Sequence, residues 1–124
     1  MERAFDFNQN IPKQSQILKT PVQLFNQHLI IGVELANLCI GEDRQVLAAM
    51  KPEAQKILLA KASDTKFKSE HKPIMLFVKQ KNIQGDKSIS LQEFFADHPT
   101  MSQENQALQY NFHENEGILE ISIL

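Results

Sequence analysis

The stretch "TPVQLFNQHLIIGVELANLCIG", Thr20 to Gly41, decides how the rest of the chain is read. Taken as one helix over 21–40, its start and stop signals fit. Thr20 is placed to accept from a free N–H as N-cap, Pro21 falls at the first helical position, and Gln23 is placed to complete a capping box. Gly41 can take the left-handed conformation that ends a helix. Gln23, Gln27, Glu34 and Asn37 make a narrow polar stripe, and most other positions are apolar, so this helix is expected to be largely buried. Gly32 and Ala36, four apart, would let another element approach closely. The competing reading is a strand over "HLIIGVEL", 28–35; the caps favour the helix.

Outward from there, "EDRQVLAAM" reads as a second helix over about 43–50, with acids at its positive end. Pro52 cannot continue that helix but can start a third, "PEAQKILLAKA", 52–62. One long helix kinked at Pro52 reads equally well. "SDTKFKSEHK" is expected to be a basic, polar loop. "PIMLFVKQ", 73–80, has five apolar residues in a row and reads as a strand buried on both faces. The C-terminus alternates cleanly. Leu108, Tyr110 and Phe112 face one way, Leu119, Ile121 and Ile123 do the same, and Gly117 lies in the short turn between the two runs. That predicts a β-hairpin, 107–113 with 117–124. The expected fold is α+β: N-terminal helices at 21–40, 43–50 and 52–62 packed on a small, mostly antiparallel sheet, with a short helix at 91–98. Residues 1–19 are expected to be weakly ordered or a short edge strand around Phe5 and Phe7, and residues 1–124 to form one domain.

The 124 residues carry a net charge of −2. A dedicated nucleic-acid binder is expected to be strongly basic, so nucleic acid is not the expected partner. The charge is segregated along the chain. Residues 61–87 hold seven lysines against Asp64, Glu70 and Asp86, while 88–124 hold six acids and no Lys or Arg. Folding either brings these blocks onto one mixed surface or leaves two recognition faces. Cys39 is the only cysteine, so no disulfide framework exists within the chain and a reducing compartment is the simplest setting. "ERAFDFNQN" after Met1 lacks the pattern of a secretory signal, and the longest apolar run, 29–40, is too short to span a bilayer and contains Glu34. The expectation is a soluble, cytoplasmic protein with no membrane association.

"NIQGDKSISLQEFF", Asn82 to Phe95, is the one stretch with a ligand-binding look. Laid on the twelve positions of an EF-hand calcium loop, Asp86 falls at position 5, Ile89 at 8, Ser90 at 9 and Glu93 at 12. The first half departs from the pattern. Asn82 and Gln84 stand where carboxylates are usual, and Lys87 replaces the glycine at position 6. Asp86 and Glu93 are thus weak metal candidates in a degenerate calcium site over 82–93. The same letters also read as a turn at Gly85-Asp86 followed by a capping box, with Ser90 as N-cap and Glu93 three residues on, opening the helix at 91–98.

No catalytic motif stands out. No serine occurs in G-x-S-x-G, four glycines leave no phosphate-cradling loop, and Cys39 sits on an apolar run as a small core residue. No cofactor is implied, and the chain reads more readily as a non-enzyme. The leading reading is a small interaction module of chaperone, adaptor, immunity or inhibitor type. It would bind another protein with a basic surface, or a second copy of itself as a homodimer, through the acidic C-terminal hairpin face or a free edge of that hairpin. Glu114, Glu116, Glu120, Asn111 and His113 are the candidate contact residues. The alternative is a small-ligand binder or enzyme whose site is assembled across the fold from His71, His98, His113 and acidic residues; it requires a pocket that holds two of them within hydrogen-bond reach.

Overall fold

The computed structural model describes residues 21–123. The expectations for 1–19, and Thr20 as a cap, fall outside these residues. The chain is mixed α and β but dominated by strands. β1 (Val22–Phe25) and β2 (His28–Ile31) form a hairpin, followed by α1 (Val33–Cys39). β3 (Gln45–Lys51) and β4 (Lys56–Lys61) form a second hairpin around a 3-10 turn at Pro52–Ala54, followed by α2 (Thr65–His71). β5 (Ile74–Phe77), β6 (Lys79–Gln80) and β7 (Lys87–Ser90) lead into α3 (Gln92–Asp97), and β8 (Gln106–Ala107), β9 (Tyr110–His113) and β10 (Ile118–Ser122) complete the chain.

All ladders are antiparallel and lie in two five-stranded sheets, ordered β6-β7-β2-β1-β8 and β5-β3-β4-β10-β9. The sheets share two extended segments. β5 and β6 are separated only by Val78, whose amide donates to Arg44 O at 2.8 Å before Lys79 pairs with Ser88 in the other sheet. β8 and β9 are separated only by Leu108 and Gln109. Leu108 N donates to Val22 O at 3.0 Å, while Gln109 O accepts from Ser122 N at 2.9 Å. Each segment therefore changes sheets at a bend, as at the corners of an orthogonal packing, and the ladder closes into a barrel-like ring. One core fills it. Val22, Leu24, Leu29, Ile31 and Ile89 from one sheet meet Val46, Ala48, Ile57, Leu59, Leu119 and Ile121 from the other. α1 leaves the ring at the Ile31 end of β2 and α3 at the Ser90 end of the antiparallel β7. They add Leu35, Ala36, Cys39 and Ile40, and Phe94 and Phe95, to the same core from opposite ends.

The three expected N-terminal helices are corrected. Over 21–40, Asn26 and Gln27 both have positive φ (50° and 65°), the backbone of a tight hairpin turn whose twist matches its strands. Neither residue is glycine, so the turn left no strong mark in the sequence. Only Val33–Cys39 is helical, and it stops as expected at Gly41, whose φ is +76°. The stretches 43–50 and 52–62 are strands apart from the turn at Pro52. Their helix-like look has a physical cause, since the sheet carrying β3 and β4 is covered on both faces. Val46, Ala48, Ile57 and Leu59 face the main core, while Leu47, Ala49 and Ala60 pack under Phe67 of α2. A strand buried on both sides loses its alternation of two. The stretch expected as a loop, 63–72, holds α2, capped by Asp64, whose carboxylate accepts from Phe67 N at 2.9 Å. The strand over 73–80 is present but bent, and it is not buried on both faces; Ile74, Met75 and Phe77 are exposed. The C-terminal hairpin is as expected, with Gly117 at φ +70°. α3 falls within the expected 91–98.

α1 is held from a distance. Its first amide, Val33 N, donates to Asp86 Oδ1 at 2.8 Å, and Asp86 Oδ2 accepts from Asn82 Nδ2 at 2.7 Å. Asn82 Oδ1 in turn accepts from the amides of Gly85 and Asp86. Asp86 is 1% exposed, the one buried charged residue in the described chain. Gly85 lets the loop come this close, for a Cβ there would meet Val33 Cγ2 at 3.1 Å and its φ is +102°. Asp86→Ala leaves two half-buried donors, Val33 N and Asn82 Nδ2, without their partner, so it is expected to destabilise the protein by about 1–2 kcal/mol, read from the urea midpoint. Asp86→Asn is expected to recover only part of this, because its amide N–H₂ would face the Asn82 N–H₂.

Candidate functional site

β10 lies between β4 and β9, so neither of its sides is open. The open edge of the hairpin is on β9. Its neighbour β8 pairs with β1 through Gln23–Ala107 and Leu24–Gln106, and the last bond is Leu108 N to Val22 O. Beyond it β9 runs past the start of β1 with no strand alongside among the described residues. The bond from Ser122 N to Gln109 O sets the alternation, so the N–H and C=O of Tyr110 and Phe112 point away from β10 and outward.

Beside this edge lies a groove of about 450 Å³ lined by Pro21, Gly32, Val33, Glu34, Leu35, Leu38, Gln84, Asp86 and Tyr110. It is the most apolar hollow described. Leu38 and Tyr110 are 56% and 42% exposed at its rim. Its lining contains Glu34 and Asp86 but no Lys, Arg or His.

The hairpin face is less acidic in space than in sequence. Glu120 bridges Lys56 and His113 across neighbouring strands. Lys56 Nζ donates to its Oε2 at 2.5 Å, and His113 Nε2 lies 2.8 Å from its Oε1. The Lys56 ammonium first and His113 second hold the Glu120 carboxyl below its ordinary 4.5. Glu116 shares a hollow with Lys66 and Phe67 of α2. Asn111 and Glu114 are exposed. Of the candidate contact residues, Asn111, His113 and Glu120 thus share the outer face of the hairpin, and Glu114 and Glu116 lie at its turn.

The assembled histidine site does not form. His71 packs on Phe67 of its own helix, with ring centroids 4.6 Å apart. His98 packs on Phe94, 4.7 Å away, with its Nδ1 3.0 Å from Phe94 O. His113 is bound to Glu120. Each is engaged locally on a separate element. The calcium-loop pattern is also not folded as a loop. Residues 87–90 are strand β7, paired with both β2 and β6, and both Asp86 oxygens are already hydrogen-bonded. Asp86 and Glu93 line different hollows. Ser90 is the last residue of β7 and Leu91 is the N-cap, with no side-chain bond of its own; the Ser90 hydroxyl still accepts from Gln92 N, the first amide of α3, at 3.4 Å. Among the described residues no three His, Cys, Asp or Glu side chains gather into a metal-holding group.

Sequence reasoning passed over a second cleft, of about 340 Å³, where β5 and β7 diverge. His28, Leu76, Phe77, Lys79, Ser88, Ser90, Gln92 and Glu93 line it. Its signal was spread over five elements, and His28 lay in a stretch read as helix.

No family model matches the chain, and no curated protein or solved structure is significantly similar to it. No helix among the described residues is long and apolar enough to cross a membrane.

Cys39 is fully buried, and burial pushes its thiol up to about 12. It is expected to resist alkylation in the native protein and to react at the unfolding rate or after denaturation, as mass spectrometry with and without urea will read. Glu120 makes a second prediction. Its carboxyl is held down in the folded state, so its contribution to stability is full above pH 4.5 and fades as pH falls through the lower folded value. The stability difference between wild type and Glu120→Gln is expected to be under about 1 kcal/mol, because the pairs are partly solvated. That difference should shrink as unfolding is followed from pH 6 to below pH 4.

Proposed function

We propose that this protein is a non-catalytic binding module that takes an extended segment of a partner protein as an added strand on β9. The observation that carries this reading is the backbone edge at Tyr110 and Phe112, which no strand among the described residues covers, beside an apolar groove. Main-chain hydrogen bonds would supply affinity, and the groove would select side chains. An antiparallel peptide strand sends alternate residues to opposite sides, so one apolar residue would enter beside Leu38, Val33 and Tyr110. The groove has acids and no cation in its lining, and Glu114 lies exposed beyond the end of the edge. Basic neighbours in the peptide would suit both. The ion pairs at Glu120 and the nearness of Lys66 to Glu116 make charge a secondary contributor. This favours the edge over the whole hairpin face as the contact.

The test is display of a random peptide library against the full chain. Enriched peptides are expected to alternate apolar with Lys or Arg and to bind more weakly as salt rises. Tyr110→Pro removes an outward N–H that no ladder bond uses. It is expected to lower affinity at least about tenfold, the loss of a main-chain bond plus the aromatic contact, with little change in melting temperature. Hydrogen exchange at the Tyr110 and Phe112 amides should slow on binding. Peptides that bind the proline variant as well as wild type would remove the edge from consideration. Equal binding by Glu34→Gln/Glu114→Gln would remove the charge preference. Loss of all selection on the full chain, with recovery after deletion of residues 1–20, would point to the chain's own N-terminus as the occupant.

A further inference from the structure

The cleft between β5 and β7 carries an inference independent of the β9 edge. The ladder joining β6 to β7 stops at Lys79–Ser88. Two residues further, Phe77 would face Ser90, but the chain bends at Val78 and β5 turns away to join β3. The divergence opens the cleft. It is floored by Leu76 and walled by Phe77 and Lys79 on one side, Ser88, Ser90 and His28 on the other, and Gln92 and Glu93 at the end where α3 begins.

Two features of this cleft point to a ligand. Phe77 is 72% exposed, a large apolar surface left open at the edge of a polar recess. Opposite charges also line the recess without neutralising each other. Among the described residues Lys79 and Glu93 make no ion pair with each other or with any other group, and the Ser88 hydroxyl has no hydrogen-bond partner. His28 is oriented already, because its Nδ1 lies 2.9 Å from Asn26 O; in the neutral ring this leaves Nε2 as an acceptor.

We infer that the cleft binds a small zwitterion, an α-amino acid with an aromatic or large apolar side chain. Its carboxylate meets Lys79 and the Ser88 hydroxyl, its ammonium meets Glu93, and its side chain lies against Phe77 and Leu76. A molecule with both charges on one carbon spans two unpaired opposite charges that do not reach each other directly. Neither an anion nor a cation alone uses both walls. The volume, about 340 Å³, is at the small end of ligand pockets and suits a single amino acid.

The probe is L-phenylalanine, titrated into the isotope-labelled full chain at low salt and followed by amide chemical shifts. Saturable shifts are expected at Phe77, Ser88 and Ser90 with a Kd of about 1 mM, the scale set by a ligand of this size. Phenylpropionate, which lacks the ammonium, and phenethylamine, which lacks the carboxylate, are each expected to bind at least about fivefold more weakly. Lys79→Ala and Glu93→Gln are each expected to weaken L-phenylalanine by a similar factor. Both side chains are exposed and unbonded, so the spectra should otherwise remain those of the folded protein. The inference fails if L-phenylalanine does not saturate well above that concentration, if its shifts map elsewhere, or if either one-charge analogue binds as tightly. Unchanged binding by both variants would also overturn it.

Discussion

The described strands run from two to seven residues, and a short strand or lone hairpin is only marginally stable until further strands and a packed face join it. That constraint is met by two segments that each serve two sheets. Residues 74–80 pair first with β3 and then with β7, and residues 106–113 pair first with β1 and then with β10. Without these bends the two sheets would present four open edges. With them the ladder closes, and openings remain only where a segment has left one sheet and its old neighbour has run on. The two hollows that matter most lie at those places, one beside β9 and one between β5 and β7. Both hollows are therefore products of how the barrel closes.

The helices are secondary to this plan, and each is too short to be stable alone. α1 and α3 close the ends of the ring and contribute apolar side chains to the core. α2 covers the outer face of β3 and β4 with essentially one residue, Phe67. The buried Asp86 links the plan together, because one carboxylate fixes both the start of α1 and the turn between β6 and β7. Its charge faces donors only, which is the condition for tolerating a carboxylate away from water.

The legible parts of the sequence were those where one face of an element meets water. The C-terminal hairpin alternates because its outer face carries Asn111, His113 and Glu120, and α3 shows its buried face through Phe94 and Phe95. The illegible parts were buried on both sides. "QVLAAM" and "KILLA" lost their period of two to the layer added by Phe67, and the helix patterning they mimic is a consequence of that layer. The hairpin at 22–31 was hidden by an Asn-Gln turn that accepts positive φ without glycine. The candidate contacts at the hairpin were readable as a polar face, but their electrostatics were not, since Lys56 and Lys66 arrive from other elements. The second cleft was beyond reach, as no local pattern brings His28, Lys79 and Glu93 together.

The pairing of β1 with β8 has a consequence for how the protein is made. β1 leaves the ribosome well before its outer partner, Gln106–Ala107. The β1–β2 hairpin must wait for β7 and β8 with both outer sides bare, while β3 and β4 can pair at once. Ring closure depends on contacts far apart in sequence, which are slow to form. In the interval the nascent chain displays Val22, Leu24, Leu29 and Ile31 on an unprotected strand pair. The strand order thus leaves this apolar hairpin uncovered until its late partners arrive, whatever the stability of the finished barrel.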